Sequence, residues 1–257
     1  MDGLQTWVIN LDRAPDRLAR ISEQLRHLGL PFVRLPAVDG RQLTPEQTAC
    51  LDEAGFRRKH GMPPLLGELG CYLSHVEALR AFQASDASFA LILEDDIQLH
   101  DQLPGVLASL LASASRWDVA KLSAVHSGTP QPVAELQPGC HLAVMLSRCT
   151  GASAYLVNRR AVQAYLRPHN GLLPMDLPYD HVFDQGWRFG IKFRLVTPTP
   201  CGHDDQVMST IGATSSGPPR RKFHWTKRLS TYRYRLGNEL RRLAYGLAST
   251  WRERRGG

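Results

Sequence analysis

The sequence has no long hydrophobic run. None of its apolar stretches approaches the roughly 20 residues that a membrane-spanning helix needs. The first residues also lack the basic start, sustained apolar stretch and small-residue cleavage site of a secretory signal. We therefore expect a cytoplasmic protein without a membrane anchor of its own.

Cysteines at metal-binding or disulfide spacing are also missing. The five cysteines are odd in number and widely separated, and none stands in a C-x-x-C pair: Cys50, Cys71, Cys140, Cys149 and Cys201. This pattern supports neither a disulfide framework nor a zinc cage. We expect reduced thiols that are mostly buried.

Acidic residues are scarce near the end of the chain. Residues 218–257 contain twelve Lys or Arg but only two acids, Glu239 and Glu253, which gives a formal charge of +10. The other 19 basic and 22 acidic residues leave residues 1–217 at −3. The sequence therefore predicts a globular domain over residues 1–217 and a basic amphipathic segment over residues 218–257.

Apolar periodicity predicts an α/β domain. A strand over residues 6–11, a helix beginning near Pro15 and a strand over residues 32–38 form a β-α-β unit with parallel strands. Residues 126–139, rich in Pro, Gly and Ser, indicate a mobile loop. The other predicted elements are a helix over 69–82, strands over 89–93, 117–123, 151–157 and 191–196, and a loop over 197–205.

Three acids follow the strand at residues 89–93 without a turn signal: Glu94, Asp95 and Asp96. Because side chains alternate along a strand, Glu94 and Asp96 are expected on one side and Asp95 on the other. Clustered carboxylates at the carboxyl edge of a parallel sheet repel one another unless a cation joins them. Mg²⁺ or Mn²⁺ suits oxygen ligands and bridges to nucleotide phosphates. The alternative is that these acids cap a helix or face water.

Two further residues offer charges that such a site could use. Arg17 lies in the first turn of the first predicted helix, where a diphosphate could bind, although an arginine in a surface helix is usually just solvated. His203 is a candidate extra metal ligand because imidazole accepts Mn²⁺, with a solvated loop histidine as the alternative.

A Ser–His hydrolase is disfavoured. Ser74 and His75 are adjacent on a predicted helix, so their side chains point in different directions, and no G-x-S-x-G is present.

Five segments, in this order, resemble glycosyltransferase family 25, the lipopolysaccharide and lipooligosaccharide glycosyltransferases. They are "VINLDRAPDRLARISEQLRHLGLPFVRLPAVDG" (8–40), "GELGCYLSHVEAL" (67–79), "LILEDDI" (91–97), "GASAYLVNRRAV" (151–162) and "PYDHVFDQGW" (178–187). The resemblance implies a GT-A-like nucleotide-diphospho-sugar transferase fold. It also implies inverting transfer of a hexose, usually galactose, from a UDP-sugar with the help of a divalent metal.

The resemblance also implies roles for individual residues. It makes Asp96 the first metal ligand, with Glu94 as a second ligand or ribose contact, and Asp95 part of the same nucleotide motif. Other positions that match the donor or acceptor site are Asn10, Asp39, Gly40, Glu68, Ser74 and His75. Ordinary strand-end, turn and core roles would explain these positions as well.

Inversion by direct displacement needs a base that removes the proton of the acceptor hydroxyl. Asp180 matches the family's aspartate in the last segment and is the leading candidate, with Asp176 and Asp184 as alternatives. A turn or cap role is the competing interpretation of Asp180.

The basic segment alternates arginines with aromatic residues and leucines, a composition typical of helices that lie on anionic membrane surfaces. We expect peripheral association with the inner face of a membrane, close to a lipid-linked or oligosaccharide acceptor. A helix packed on the domain is the alternative, and nucleic-acid binding is disfavoured because no such module is recognisable. An inactive family member that acts as a scaffold or polyanion-binding protein is the alternative function.

Overall fold

A computed structural model describes residues 1–203, 224 and 228–256, apart from the side chain of His203. The strands are β1 (Leu4–Asn10), β2 (Val33–Pro36), β3 (Phe89–Glu94), β4 (Ile97–Leu99), β5 (Val119–Lys121), β6 (Pro130–Gln137), β7 (Cys140–Met145), β8 (Ala154–Asn158), β9 (Phe193–Thr197) and β10 (Cys201–His203). The helices are α1 (Pro15–His27), α2 (Pro45–Thr48), α3 (Glu53–His60), α4 (Leu66–Ala84), α5 (Leu103–Ala112), α6 (Arg159–Tyr165), α7 (Tyr179–Phe183), α8 (Gly186–Phe189) and α9 (Leu229–Gly256).

Eight strands form a mixed sheet in the order β2-β1-β3-β8-β5-β9-β7-β6, and β10 pairs with β4 in a separate ribbon. The strands β2, β1 and β3 run parallel, which confirms the predicted β-α-β unit. The strand β8 is antiparallel to β3, and β9 is parallel to β5. The structure is the α/β architecture expected for a GT-A-like fold.

The core lies on both faces of this sheet, and β3 contributes to each. Ala90 and Ile92 pack on the side that carries α4 and α6, whereas Leu91 and Leu93 pack on the side of α1 and α5. Burial on both faces explains why the strand is apolar at every position and does not alternate. The predicted helix start at Pro15 is confirmed, and Asn158 caps α6 by accepting a hydrogen bond from the Ala161 amide.

The prediction of a mobile loop over residues 126–139 is wrong. Most of this stretch is β6, which forms a hairpin with β7 at the edge of the sheet. Pro130 and Pro132 suggested a loop, but proline is compatible with an edge strand, where the missing N–H need not pair. The predicted loop after β9 likewise contains the short strand β10.

The helix α9 packs on the α/β domain through polar contacts. Arg242, on α9, forms a buried ion pair with Asp184. Arg194 of β9 donates a hydrogen bond of 2.8 Å to Glu253. The predicted boundary at residue 217 lies outside the described residues, so the division of the chain there stays a prediction. Among the described helices, none has the length and apolar character needed to cross a bilayer.

Candidate active site

A cavity of about 450 Å³ opens where β1 and β3 end, beside the first turns of α1 and α4. Its volume lies in the range of small-molecule sites, and its position at the carboxyl ends of parallel strands is the usual ligand crevice of α/β proteins. Nine of the residues predicted from the sequence line it: Arg17, Gly40, Glu68, Ser74, His75, Glu94, Asp95, Asp96 and Asp180.

The acids at the end of β3 do not alternate as predicted. The strand ends at Glu94, and a tight turn follows at Asp95 and Asp96 before β4. Asp95 and Asp96 therefore point to the same cation: Arg17 Nη1 lies 3.2 Å from Asp95 Oδ1 and 3.4 Å from Asp96 Oδ2. Asn10, which is buried, donates a 2.6 Å hydrogen bond to the other oxygen of Asp95. Asp95 is thus held by protein groups on both oxygens.

Asp96 is less well satisfied than Asp95. Its Oδ1 atom is buried and makes no hydrogen bond to the described residues. Burial, together with the nearby Glu94 carboxylate, raises the pKa of Asp96 to about 7. A buried carboxylate oxygen without a partner is costly, and a divalent cation would remove both the deficit and the repulsion between the acids. The donor set of hard oxygens fits Mg²⁺ or Mn²⁺.

Glu94 is oriented by an aromatic cluster beneath the cavity. His75 Nε2 lies 3.0 Å from Glu94 Oε1, and His75 Nδ1 lies 3.1 Å from the hydroxyl of Tyr155. The imidazole stacks on Tyr179, with 4.2 Å between ring centroids and 6° between planes. His75 is therefore fixed on both nitrogens and one face, which makes it a positioning residue for Glu94.

The turn at Asp39 and Gly40 packs directly on the start of α4. A Cβ atom at Gly40 would come within 2.4 Å of the Leu66 carbonyl oxygen, so only glycine fits there. Ser74 Oγ accepts a 2.8 Å hydrogen bond from the Val38 amide and thereby ties this turn to the helix. The guanidinium of Arg13 binds Asp39 and lowers the pKa of that carboxyl. Asp39 is thus placed at the rim through Arg13, which itself lines the cavity.

The three candidates for the base occupy different environments. Asp180 lines the cavity at the start of α7, and its Oδ2 accepts a 2.9 Å hydrogen bond from the Gly151 amide. Asp176 is paired with Lys59 and lies 3.9 Å from Arg188, away from the cavity wall. Asp184 is fully buried against Arg242. Of the three, Asp180 is the one that can reach a molecule in the cavity.

The prediction for His203 lies outside the described residues. The backbone of His203 ends β10 opposite Ile97, but its side chain is not described. Its role as an extra metal ligand stays a prediction.

Comparison with known proteins agrees with this geometry. The sequence model of "Glycosyltransferase family 25 (LPS biosynthesis protein)" matches residues 4–182. That match covers more than half of the chain and includes every residue of the acidic turn and Asp180. The chain belongs to glycosyltransferase family 25.

Several curated relatives in this family are animal proteins. A "Glycosyltransferase 25 family member" of Anopheles gambiae is 27% identical over 74% of this chain and 34% of its own length. A protein of the same description in Aedes aegypti is 33% identical over 44% of this chain and 20% of its own. "Procollagen galactosyltransferase 1-B" of Xenopus laevis is 26% identical over 67% of this chain and 30% of its own. The chain therefore spans about a fifth to a third of the length of these relatives.

Sequence reasoning missed several residues of this family 25 site, among them Arg13 and Cys71. Of these two, Cys71 lies beside the acid that ends β3. Its sulfur lies 3.8 Å from Glu94 Oε1, and the sulfur, one nitrogen of His75 and one oxygen of Glu94 lie within 4.8 Å of one another. Burial and the nearby carboxylates raise the pKa of the Cys71 thiol well above its usual value, so the thiol is neutral and a poor metal ligand. The spacing of Cys71 and His75, four residues apart on one helix, was the signal available in the sequence.

The raised pKa of Asp96 predicts how stability varies with pH in the metal-free protein. Because the folded state keeps the Asp96 proton up to about pH 7 while the unfolded chain releases it near 3.8, this group's contribution to stability falls as the pH rises across that window. Asp96→Asn removes the titrating group. We expect urea unfolding of metal-free protein to show that the variant gains stability relative to wild type as the pH rises from 4 to 8. A pH-independent difference between the two proteins would contradict the assigned pKa.

Proposed function

We propose that this chain transfers a hexose, galactose in the first instance, from a UDP-sugar to a saccharide hydroxyl with inversion at the anomeric carbon. The observation that carries the proposal is the buried Oδ1 of Asp96, which has no hydrogen-bond partner among the described residues, in a cavity that also holds Glu94, Arg17 and Asp180. Such a group needs a cation, and a nucleotide diphosphate is the ligand that brings a hard divalent ion into a crevice of this type.

Asp96 and Glu94 would hold the Mg²⁺ or Mn²⁺ ion. When bound, the ion would supply positive charge that offsets the charge on a departing diphosphate. Arg17 lies in the first turn of α1, so its guanidinium and the positive end of the helix would face the same diphosphate. His75 would keep Glu94 in one orientation, because both of its ring nitrogens and one ring face are already engaged.

Asp180 would remove the proton of the acceptor hydroxyl. Its hydrogen bond to the Gly151 amide fixes one carboxylate oxygen, and each carboxylate oxygen can accept more than one hydrogen bond. The side chain can therefore keep this contact while it accepts a hydroxyl proton as the hydroxyl attacks the anomeric carbon. The proton ends on Asp180 and the bonding electrons of the broken C–O bond leave with the diphosphate.

The names of the family and of its relatives bear on the acceptor. The family description names lipopolysaccharide biosynthesis, which supports a saccharide hydroxyl on a lipid-linked or oligosaccharide acceptor. Relatives named procollagen galactosyltransferases support galactose as the donor sugar but carry a different acceptor in their names. We propose a lipopolysaccharide-type acceptor, reached from the cytoplasmic side of a membrane.

Asp180→Asn tests the assignment of the base. We expect the rate of transfer to fall by about 10²–10⁴-fold, because the amide cannot accept the hydroxyl proton, while UDP binding stays unchanged. Asp176→Asn is the matched control, and we expect it to retain transfer because Asp176 pairs with Lys59 outside the cavity. Single-turnover transfer from radiolabelled UDP-galactose, with calorimetric binding of UDP, measures both quantities. Loss of transfer in Asp176→Asn but not in Asp180→Asn would reverse the assignment.

A further inference from the structure

The helix α9 turns its polar side toward the protein. Its buried positions carry polar or small residues: Thr231, Asn238, Arg242, Gly246, Ser249 and Thr250. They meet polar groups of the domain, as when Thr231 Oγ1 donates to the Arg58 carbonyl at 2.9 Å and Arg242 binds Asp184. Tyr245 likewise donates a 2.6 Å hydrogen bond to the Ile191 carbonyl. Polar contacts therefore hold much of this helix in place, together with the half-buried rings of Tyr234 and Tyr245, which pack on the domain.

The opposite side of α9 carries a continuous apolar surface, which we call the outer stripe. Its members recur every three or four residues and so lie on one face of the helix. They are between 41% and 66% exposed: Leu229, Tyr232, Leu236, Leu240, Leu243, Leu247 and Trp251. These seven account for most of the large hydrophobic side chains exposed in the described part of the chain. A helix normally packs its apolar face inward, and an exposed apolar patch of this extent marks an interaction surface.

Charge selects the partner of the outer stripe. Five exposed arginines accompany it: Arg233, Arg241, Arg252, Arg254 and Arg255. Of the two acids on α9, Glu253 is turned inward to Arg194, and Glu239 is half-exposed beside Arg242. A second copy of this chain would place two sets of arginines against each other, and nucleic acid offers no apolar surface to cover the leucines. A surface that is apolar within and anionic at its boundary fits both features.

We propose that α9 binds the surface of an anionic lipid bilayer, with the outer stripe inserted at the level of the headgroups and the arginines on the lipid phosphates. The inner side of α9 stays on the domain through Arg242 and Asp184, so binding requires no detachment of the helix. Each arginine near an anionic surface strengthens binding by about fivefold, and the apolar side chains add affinity that salt does not screen. The contact places the domain at a membrane independently of its reaction.

The experiment measures binding to vesicles by co-sedimentation, without donor or acceptor. Vesicles of phosphatidylglycerol and phosphatidylcholine in equal parts are compared with vesicles of phosphatidylcholine alone. The test variant is Leu236→Gln with Leu240→Gln, which removes two side chains of the outer stripe. The matched control is Ala244→Gln with Ala248→Gln, another exposed pair four residues apart on the same helix, which flanks the stripe and leaves its seven large apolar side chains in place.

We expect wild type to bind the anionic vesicles and to prefer them over the neutral ones at low salt. The leucine variant should lose about tenfold or more in partitioning, and the alanine variant should stay within about twofold of wild type.

Sedimentation velocity on the same proteins tests for a second copy, and duplex DNA tests for a polyanion. No vesicle binding by wild type, equal binding by the leucine variant, or a dimer that the leucine substitutions dissolve would overturn the proposal. Duplex DNA binding stronger than binding to the anionic vesicles would also overturn it. Because no sugar transfer is measured, this result is separate from the outcome for the reaction.

Discussion

Replacing Asp96 with asparagine is expected to reduce sugar transfer on the order of 10³-fold while leaving the fold intact. Asparagine keeps the size of the side chain but removes the negative charge that would bind a divalent ion. Without the ion, the negative charge that develops on the leaving diphosphate is less well stabilised, so the rate of transfer falls. The pKa of Asp96 is raised by burial and by the nearby Glu94 carboxylate, and the substitution removes the repulsion between these two carboxylates. The folded state should therefore not be destabilised, and steady-state transfer with saturating Mn²⁺ measures the effect.

The control for this prediction is Asp101→Asn. Asp101 is an exposed carboxylate just after β4, where it faces His27, and we expect its replacement to leave transfer unchanged. Unfolding in urea checks that both variants fold. If Asp96→Asn kept full metal-dependent activity, Asp96 would not be a metal ligand.

The second large effect concerns stability. Asp184 is fully buried, and Arg242, 2% exposed, binds both of its oxygens at 2.6 and 3.1 Å. Arg242→Leu leaves the Asp184 charge buried without its cation. Loss of one partner of a buried ion pair costs about 3–5 kcal/mol, so we expect the free energy of unfolding in urea to fall by that amount.

Two companion variants show whether the loss comes from the buried charge. Arg241→Leu changes the neighbouring, exposed arginine and is expected to alter stability by less than about 0.5 kcal/mol. Adding Asp184→Asn to Arg242→Leu removes the unpaired charge and should recover part of the stability. If Arg242→Leu unfolded within 1 kcal/mol of wild type, on the scale expected of a surface site, α9 would not be anchored by this pair.

Much of the α/β layer could be predicted because its signals are local. The repeat of Leu18, Ile21 and Leu25 defines the buried side of α1, and the apolar run before Glu94 is typical of a strand covered on both faces. The convergence of several candidate residues on one cavity could also be predicted, because parallel strands end at the same edge of the sheet. Family resemblance added the roles that spacing alone left open.

Other features depend on contacts that the sequence pattern does not contain. Arg242 is one of twelve basic residues in the last segment, and nothing local marks it as the partner of Asp184, 58 positions away in the chain. The alternation of the acids failed because β3 ends at Glu94 and the chain turns at Asp95. The inward polar side of α9 could not be predicted either, because the composition of a helix does not say which of its sides contacts the domain.

The most direct test of the proposed site is the calorimetric affinity of UDP for wild type and for Asp96→Asn, each with and without Mn²⁺. We expect Mn²⁺ to tighten UDP binding to wild type by about tenfold or more and to have no effect on the variant. Equal enhancement by Mn²⁺ in both proteins, or none in wild type, would contradict the claim that Asp96 joins a metal ion to the nucleotide.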